Sequence, residues 1–238
     1  MAEPARTLLA GALARVIALR RQLHADPAAG VRWLAVKHWQ SERLRRTYPD
    51  LFAEPRYVTA GEFFLSELYG ARDFESRDVE ALRVVPKLAR MLPDKAIETL
   101  LAAVELDELS ETLDARVAAA VTLPLDDARY AAAYRAAGTR AERLRQIEVI
   151  DGIGRSLEKL ARVPLLAGMI RMMRVPAEAA GVGHLHHFLE GGFNAFKAMG
   201  PAGEFLATIR QRETALMERL FGDDPQPFRD LLPERAQS

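Results

Sequence analysis

The chain contains no cysteine. Disulfides, a thiolate nucleophile and cysteine-held zinc or iron-sulfur centres are therefore excluded, and the absence fits a reducing compartment. Net charge is also lacking: 33 lysines and arginines balance 33 aspartates and glutamates. No overall field draws the chain to nucleic acid or to an anionic membrane, so neither is expected as a partner without a local patch. It has no run of about 20 uncharged apolar residues long enough for a membrane span, and no β-branched stretches of period-two alternation that would signal strands. Gly-x-Ser-x-Gly and Gly-x-x-x-x-Gly-Lys are both missing, so no nucleophile elbow or phosphate loop is present. The first residues, Met1 to Leu23, imitate a secretion leader, but Arg15 interrupts the apolar run and Leu9, Leu13, Val16 and Leu23 fall near one helical face. A cytoplasmic location is the expectation.

What remains is helical. The chain has 238 residues, 49% of them hydrophobic, which is enough to bury a substantial core. Their spacing predicts an all-α fold, a single multi-helix bundle of about ten helices, with a helical domain over 1–222 and a flexible or docked tail over 223–238. The helices are expected at 4–24, 28–47, 60–70, 76–91, 94–122, 127–137, 140–162, 164–174, 183–198 and 201–221. Thr59 with Glu62 and Thr139 with Glu142 read as capping boxes, in which a hydroxyl accepts from a first-turn amide and a carboxylate reaches back to the cap amide. Asp26-Pro27 and Gly200-Pro201 place proline at a first helical position. Pro49, Pro55, Pro93, Pro124, Pro164 and Pro176 fall between periodic segments and punctuate them.

The most distinctive segment is EFFLSELYG, Glu62 to Gly70. With PRY at Pro55 to Tyr57, Arg77-Asp78, Leu92-Pro93 and ELDELSETLD from Glu105 to Asp114, it resembles an uncharacterised bacterial family marked by the motif FFLEELYG. Ser66 stands where that motif has glutamate. The resemblance extends over most of the chain and implies no activity.

Projected at about 100° per residue, Phe64, Leu65, Leu68 and Tyr69 centre an apolar arc, Glu67 leans inside its margin, and Ser66 and Glu62 lie on the wet side. Glu67 is then expected to pair with Arg56, Arg72 or Arg77 as an interhelical lock, with Tyr69 beside it. The chemical alternative is a carboxylate that binds metal or handles protons.

HLHHFLEGG, His184 to Gly192, holds three of the five histidines, and His186 and Glu190 are spaced i, i+4. Bundle di-iron sites use Glu-x-x-His, which this chain lacks; it has only the reversed order His187-x-x-Glu190. In projection Leu185, Phe188, Leu189, Phe193, Phe196 and Met199 form the buried arc, His187 and Glu190 point away, and His184 and His186 flank. Gly191 and Gly192 mark a kink or a close helix contact.

The basic end of the second helix, with Lys37, Arg43, Arg45 and Arg46, is explained by the helix dipole. The run Glu105, Asp107, Glu108, Glu111 and Asp114 reads as a solvated face that could pair with it or with a partner. The expected function is a non-enzymatic helical module for a protein partner or a small apolar ligand, with no cofactor. The alternative is a bundle oxidoreductase holding iron or haem through His184, His186, Glu190, Glu105, Glu108 and Glu67.

Overall fold

The computed structural model describes residues 2–68, 80–85, 93–222 and 224–229, with the side chains of 2–4, 6, 67 and 68 left out. Among the described residues there is no strand, and the fold is an all-α multi-helix bundle. The helices are α1 (Ala2–Ala25), α2 (Pro27–Thr47), α3 (Pro49–Ala53), α4 (Val58–Phe63, continuing as a π-helical turn Phe64–Leu68) and α5 (80–85). They continue with α6 (Asp94–Ala120), α7 (Asp127–Ala137), α8 (Arg140–Ala161), α9 (Pro164–Met172), α10 (Arg174–Ala179), α11 (Gly183–Met199) and α12 (Gly203–Phe221). No helix among the described residues is long and apolar enough to cross a membrane.

Local chemistry sets many of the ends. The Asp26 carboxylate accepts from the amides of Ala28 and Ala29, and Pro27 opens α2. Thr139 and Glu142 form the expected capping box of α8: Thr139 Oγ1 accepts from the Glu142 amide at 3.2 Å and Glu142 Oε2 accepts from the Thr139 amide at 2.9 Å. Gly181, at φ 65, ends α10 in the left-handed region, and the Val182 amide donates back to Ala177 O at 2.8 Å.

Three expectations about ends are corrected. α4 begins at Val58, so Thr59 lies inside the helix and caps nothing; Tyr57 takes that place without a side-chain bond, its buried ring 5.0 Å from that of Phe205. Packing, not capping, fixes that start. α12 begins at Gly203 after Ala202, and Gly200 turns the chain at φ 70, so Pro201 is not its first residue. Pro49 follows the end of α2 as expected but also opens a short helix, and Pro176 does not separate helices but sits in the first turn of α10, where its missing N–H costs nothing.

α6 is the hub, flanked by α1, α2, α7 and α8. Trp33, Val36, Val117, Tyr130, Tyr134, Leu216 and Leu220 make one core between α2, α6, α7 and α12. Tyr48, Tyr57, Phe196, Met199 and Phe205 make a second under α11 and α12, and Leu9, Leu13, Ile17, Val85 and Ile97 a third under α1 and α6. Two glycines permit close helix approach. A Cβ on Gly154 of α8 would overlap the Leu206 side chain of α12, and one on Gly192 of α11 would lie 3.0 Å from the Phe63 ring. The second contact answers the expectation of a kink or close contact at Gly191-Gly192.

Phe64 to Leu68 of the distinctive segment form the π-helical turn. Its i→i+5 bonding breaks the 100° periodicity on which the projection relied. Ser66 is accordingly half-buried, not wet. The side chain of Glu67, and Tyr69, Arg72 and Arg77, lie outside the described residues.

Candidate functional site

The chemically richest part of the interior joins α1, α2 and α6. Trp33, Lys37 and Gln40 recur at i, i+4 and i+7 on α2, and Asp107, Glu111 and Asp114 do the same on α6, so each trio forms a polar stripe along one helix face. α2 packs on α6 with these stripes opposed. Lys37 Nζ lies 2.7 Å from Asp114 Oδ2 and 3.2 Å from Glu111 Oε1. Trp33 Nε1 donates to Glu111 Oε2 at 3.0 Å, and Gln40 Nε2 donates to Asp114 Oδ1 at 2.7 Å. From α1, Arg20 Nη2 donates to Glu111 Oε1 at 3.1 Å and to Asp107 Oδ1 at 2.7 Å. Glu111 is 2% exposed and Asp114 4%, so these two are not a solvated face and pair instead with Lys37 of α2, while Glu105 is exposed.

Burial alone would raise the Glu111 pKa, but Lys37 and Arg20 outweigh it and hold the carboxyl below its ordinary value. Burial alone would discharge Lys37, but Asp114 and Glu111 outweigh it and keep the ammonium above its ordinary value. Both groups stay charged around neutrality. A general acid or base needs a pKa near the working pH, so this pair is suited to holding helices and not to moving protons.

A second network ties α2 and α3 to α12. The Arg43 guanidinium and the Tyr48 hydroxyl both donate to Glu213 Oε1, the latter at 2.6 Å. Arg212 grips Asp50 through both carboxylate oxygens, at 2.7 and 2.6 Å, and donates to Thr47 O at 2.8 Å. That bidentate bond lowers the Asp50 pKa. Arg43 is thus a buried tertiary contact, and the helix dipole does not account for it. Arg143, 3% exposed, lies 4.1 Å over the Tyr134 ring.

The expected site residues are dispersed. Arg56 lies against Tyr57 and pairs with Glu204 at 2.6 Å. His184 Nδ1 lies 2.7 Å from Glu80 Oε1, and the Leu185 amide donates to Glu80 Oε2 at 2.9 Å. Burial would raise the Glu80 pKa, but these two bonds outweigh it and lower it. His186 Nε2 lies 2.7 Å from Ile170 O, a contact that puts the proton on Nε2. Glu190 does not point away. It is buried on the side facing α10, where Arg174 donates to both its oxygens at 2.7 and 3.2 Å and lowers its pKa, while Leu189 is 37% exposed. Glu108 pairs with Arg15 at 2.7 Å. No group of three His, Asp or Glu able to hold a metal occurs among the described residues.

Among the expected residues that are described, Glu105 borders a hollow. Between α6 and α8 runs a groove of about 350 Å³, with Ala102, Leu106, Val149 and Ile153 on its floor and Lys95, Glu105, Arg145 and Glu148 among its charged residues. Its volume falls within the range of ligand sites. Gly152 also lines it, and a Cβ there would meet nothing within 4 Å.

No curated protein and no solved structure matches the chain. One family model, a domain of unknown function (DUF8198), matches residues 19–227. That span takes in α2, α6 and α12 and all of both charge networks, Arg20 included. The chain is a member of the DUF8198 family.

Proposed function

We propose that this chain is a non-enzymatic helical binding module, whose paired interior charges hold the bundle and whose groove between α6 and α8 takes a small apolar ligand or an apolar side chain of a protein partner. The carrying observation is how the polar groups are used. Glu111, Lys37, Asp50 and Glu190 are each committed to a named partner and held away from neutrality, whereas the groove is lined by half-buried apolar residues flanked by exposed charged ones. A cytoplasmic location and membership of the bacterial FFLEELYG-motif group belong to the same proposal. The aromatics of that motif fit it as packing residues, since Phe64 stacks on Phe205 at 6.0 Å and Phe63 meets Phe188 at 5.5 Å.

The test is titration of the purified chain with anilinonaphthalene sulfonate as apolar probe, compared with Gly152→Trp, which adds bulk at a groove position whose Cβ would meet nothing within 4 Å. Saturable fluorescence that Gly152→Trp abolishes supports the groove. Fluorescence unchanged by the substitution, or none at all, removes it.

A further inference from the structure

α9 is apolar on both faces. Toward α8 and α11 it turns Leu166, Met169 and Ile170, all half-buried. Pro164, Leu165, Gly168, Arg171 and Met172 fall within an arc of about 120° on the other side and are all exposed. Leu165 is 73% exposed and Met172 74%; beyond the turn into α10, Val175 is 72% exposed. None of the α9 residues is buried. A helix apolar all round is normally covered, and a cluster of protruding apolar side chains marks a contact surface.

The surrounding charge is mostly positive. From Arg155 to Ala179 the chain carries five cations and two carboxylates, Glu158 and Glu178. Arg155 pairs with Asp151, Arg162 with Glu158 and Arg174 with Glu190. Lys159, in the last turn of α8, and Arg171, on the outer face of α9, have no carboxylate partner among the described residues. The overall neutrality of the chain thus conceals a local patch that is cationic and apolar together.

We propose that the α9–α10 ridge docks on an anionic phospholipid surface, with Leu165, Met172 and Val175 entering the headgroup boundary and Arg171 and Lys159 at the lipid phosphates. Two features favour lipid over a protein face. The apolar groups are knobs on a convex helix, whereas protein hot spots sit in desolvated pockets. A second copy related by a two-fold axis through the ridge would set two patches of the same sign face to face. The ridge is anchored to the bundle by His186 on Ile170 O and by Arg174 on Glu190, so docking needs no unfolding. This goes beyond the groove reading, and the two fail separately: Gly152→Trp leaves the ridge intact, and ridge variants leave the groove.

The experiment is flotation of the full chain with vesicles of phosphatidylcholine alone and of equimolar phosphatidylcholine and phosphatidylglycerol, at low and high salt. Binding to the anionic vesicles only, weakened by salt, is expected. Leu165→Ser with Met172→Ser should weaken it roughly a hundredfold and Arg171→Glu roughly tenfold or more, with melting curves unchanged because these side chains are exposed. Absence of flotation, equal binding to both vesicles, or variants that float like the parent would overturn the proposal. So would a dimer in analytical ultracentrifugation that the serine pair abolishes, since a second copy would then cover the ridge.

Discussion

Replacing Lys37 by methionine keeps the length of the side chain and removes only its charge. Glu111 would retain Arg20 and Trp33, but Asp114 would keep Gln40 Nε2 and no ammonium. Leaving a buried carboxylate without its cation costs about 3–5 kcal/mol, a large part of the ~5–15 kcal/mol that stabilises a typical domain. For a chain of this size that corresponds to a fall in melting temperature of roughly 6–20 °C. Glu111 contributes stability that is full above its unfolded pKa of 4.5 and is lost as pH falls through its lowered folded value. Lys37 contributes stability that is full below 10.5 and is lost as pH rises through its raised folded value. The deficit of Lys37→Met, measured by urea unfolding followed by circular dichroism, should therefore be greatest between these limits and shrink in acid, as Glu111 loses its charge and with it the attraction that Lys37 supplies. Adding Asp114→Leu should restore most of the loss, because Glu111 is still partnered. A single variant within about 1 kcal/mol of the parent at neutral pH, or a double variant whose losses simply add, would refute the reasoning.

Thr139→Ala should cost about 1 kcal/mol at neutral pH, read from denaturant midpoints, by removing the cap hydroxyl of α8. Hydrogen bonds from Arg116 and from the Thr139 amide and hydroxyl lower the Glu142 pKa to about 2. Its contribution is full above 4.5 and lost as pH falls through about 2, so parent and Glu142→Gln should converge in stability over that interval; a constant gap would refute the assignment. Gly154→Ala gains about 1 kcal/mol of helix propensity but forces α8 and α12 apart at Leu206, so a net loss of about 1–3 kcal/mol is expected in thermal melts.

Elements with a local cause were legible in the sequence. α7 and α8 follow from Asp126, the Thr139 box and the flanking Gly138. Thr59 misled because the burial of Tyr57 beside Phe205, a contact spanning most of the chain, sets the start of α4. The π-helical turn escaped because a projection at fixed period has no means of registering a widened turn. The placement of Glu190 failed for a different reason: its helix face is covered by α10, which brings Arg174 and turns an outward carboxylate into a buried one. The two polar stripes on α2 and α6 were visible as i, i+4, i+7 patterns. Nothing short of knowing that the helices face each other distinguishes such a stripe from an ordinary solvated one. The groove beside Glu105 depends on the spacing of α6 and α8, which no local pattern carries.

The opposed stripes also act as a ruler. Sliding α2 along α6 by one turn, about 5.4 Å, would still bury its apolar residues, and a purely aliphatic seam would barely register the change. Here the same slip would carry Lys37 past its two carboxylates and bring Trp33 or Gln40 in its place, leaving Asp114 dry and without a cation and Glu111 with Arg20 alone. Because these partners lie 74 to 78 residues apart in the chain, the penalty applies only once the helices dock. The charges thus select among collapsed arrangements that hydrophobic burial alone would leave nearly equal in free energy.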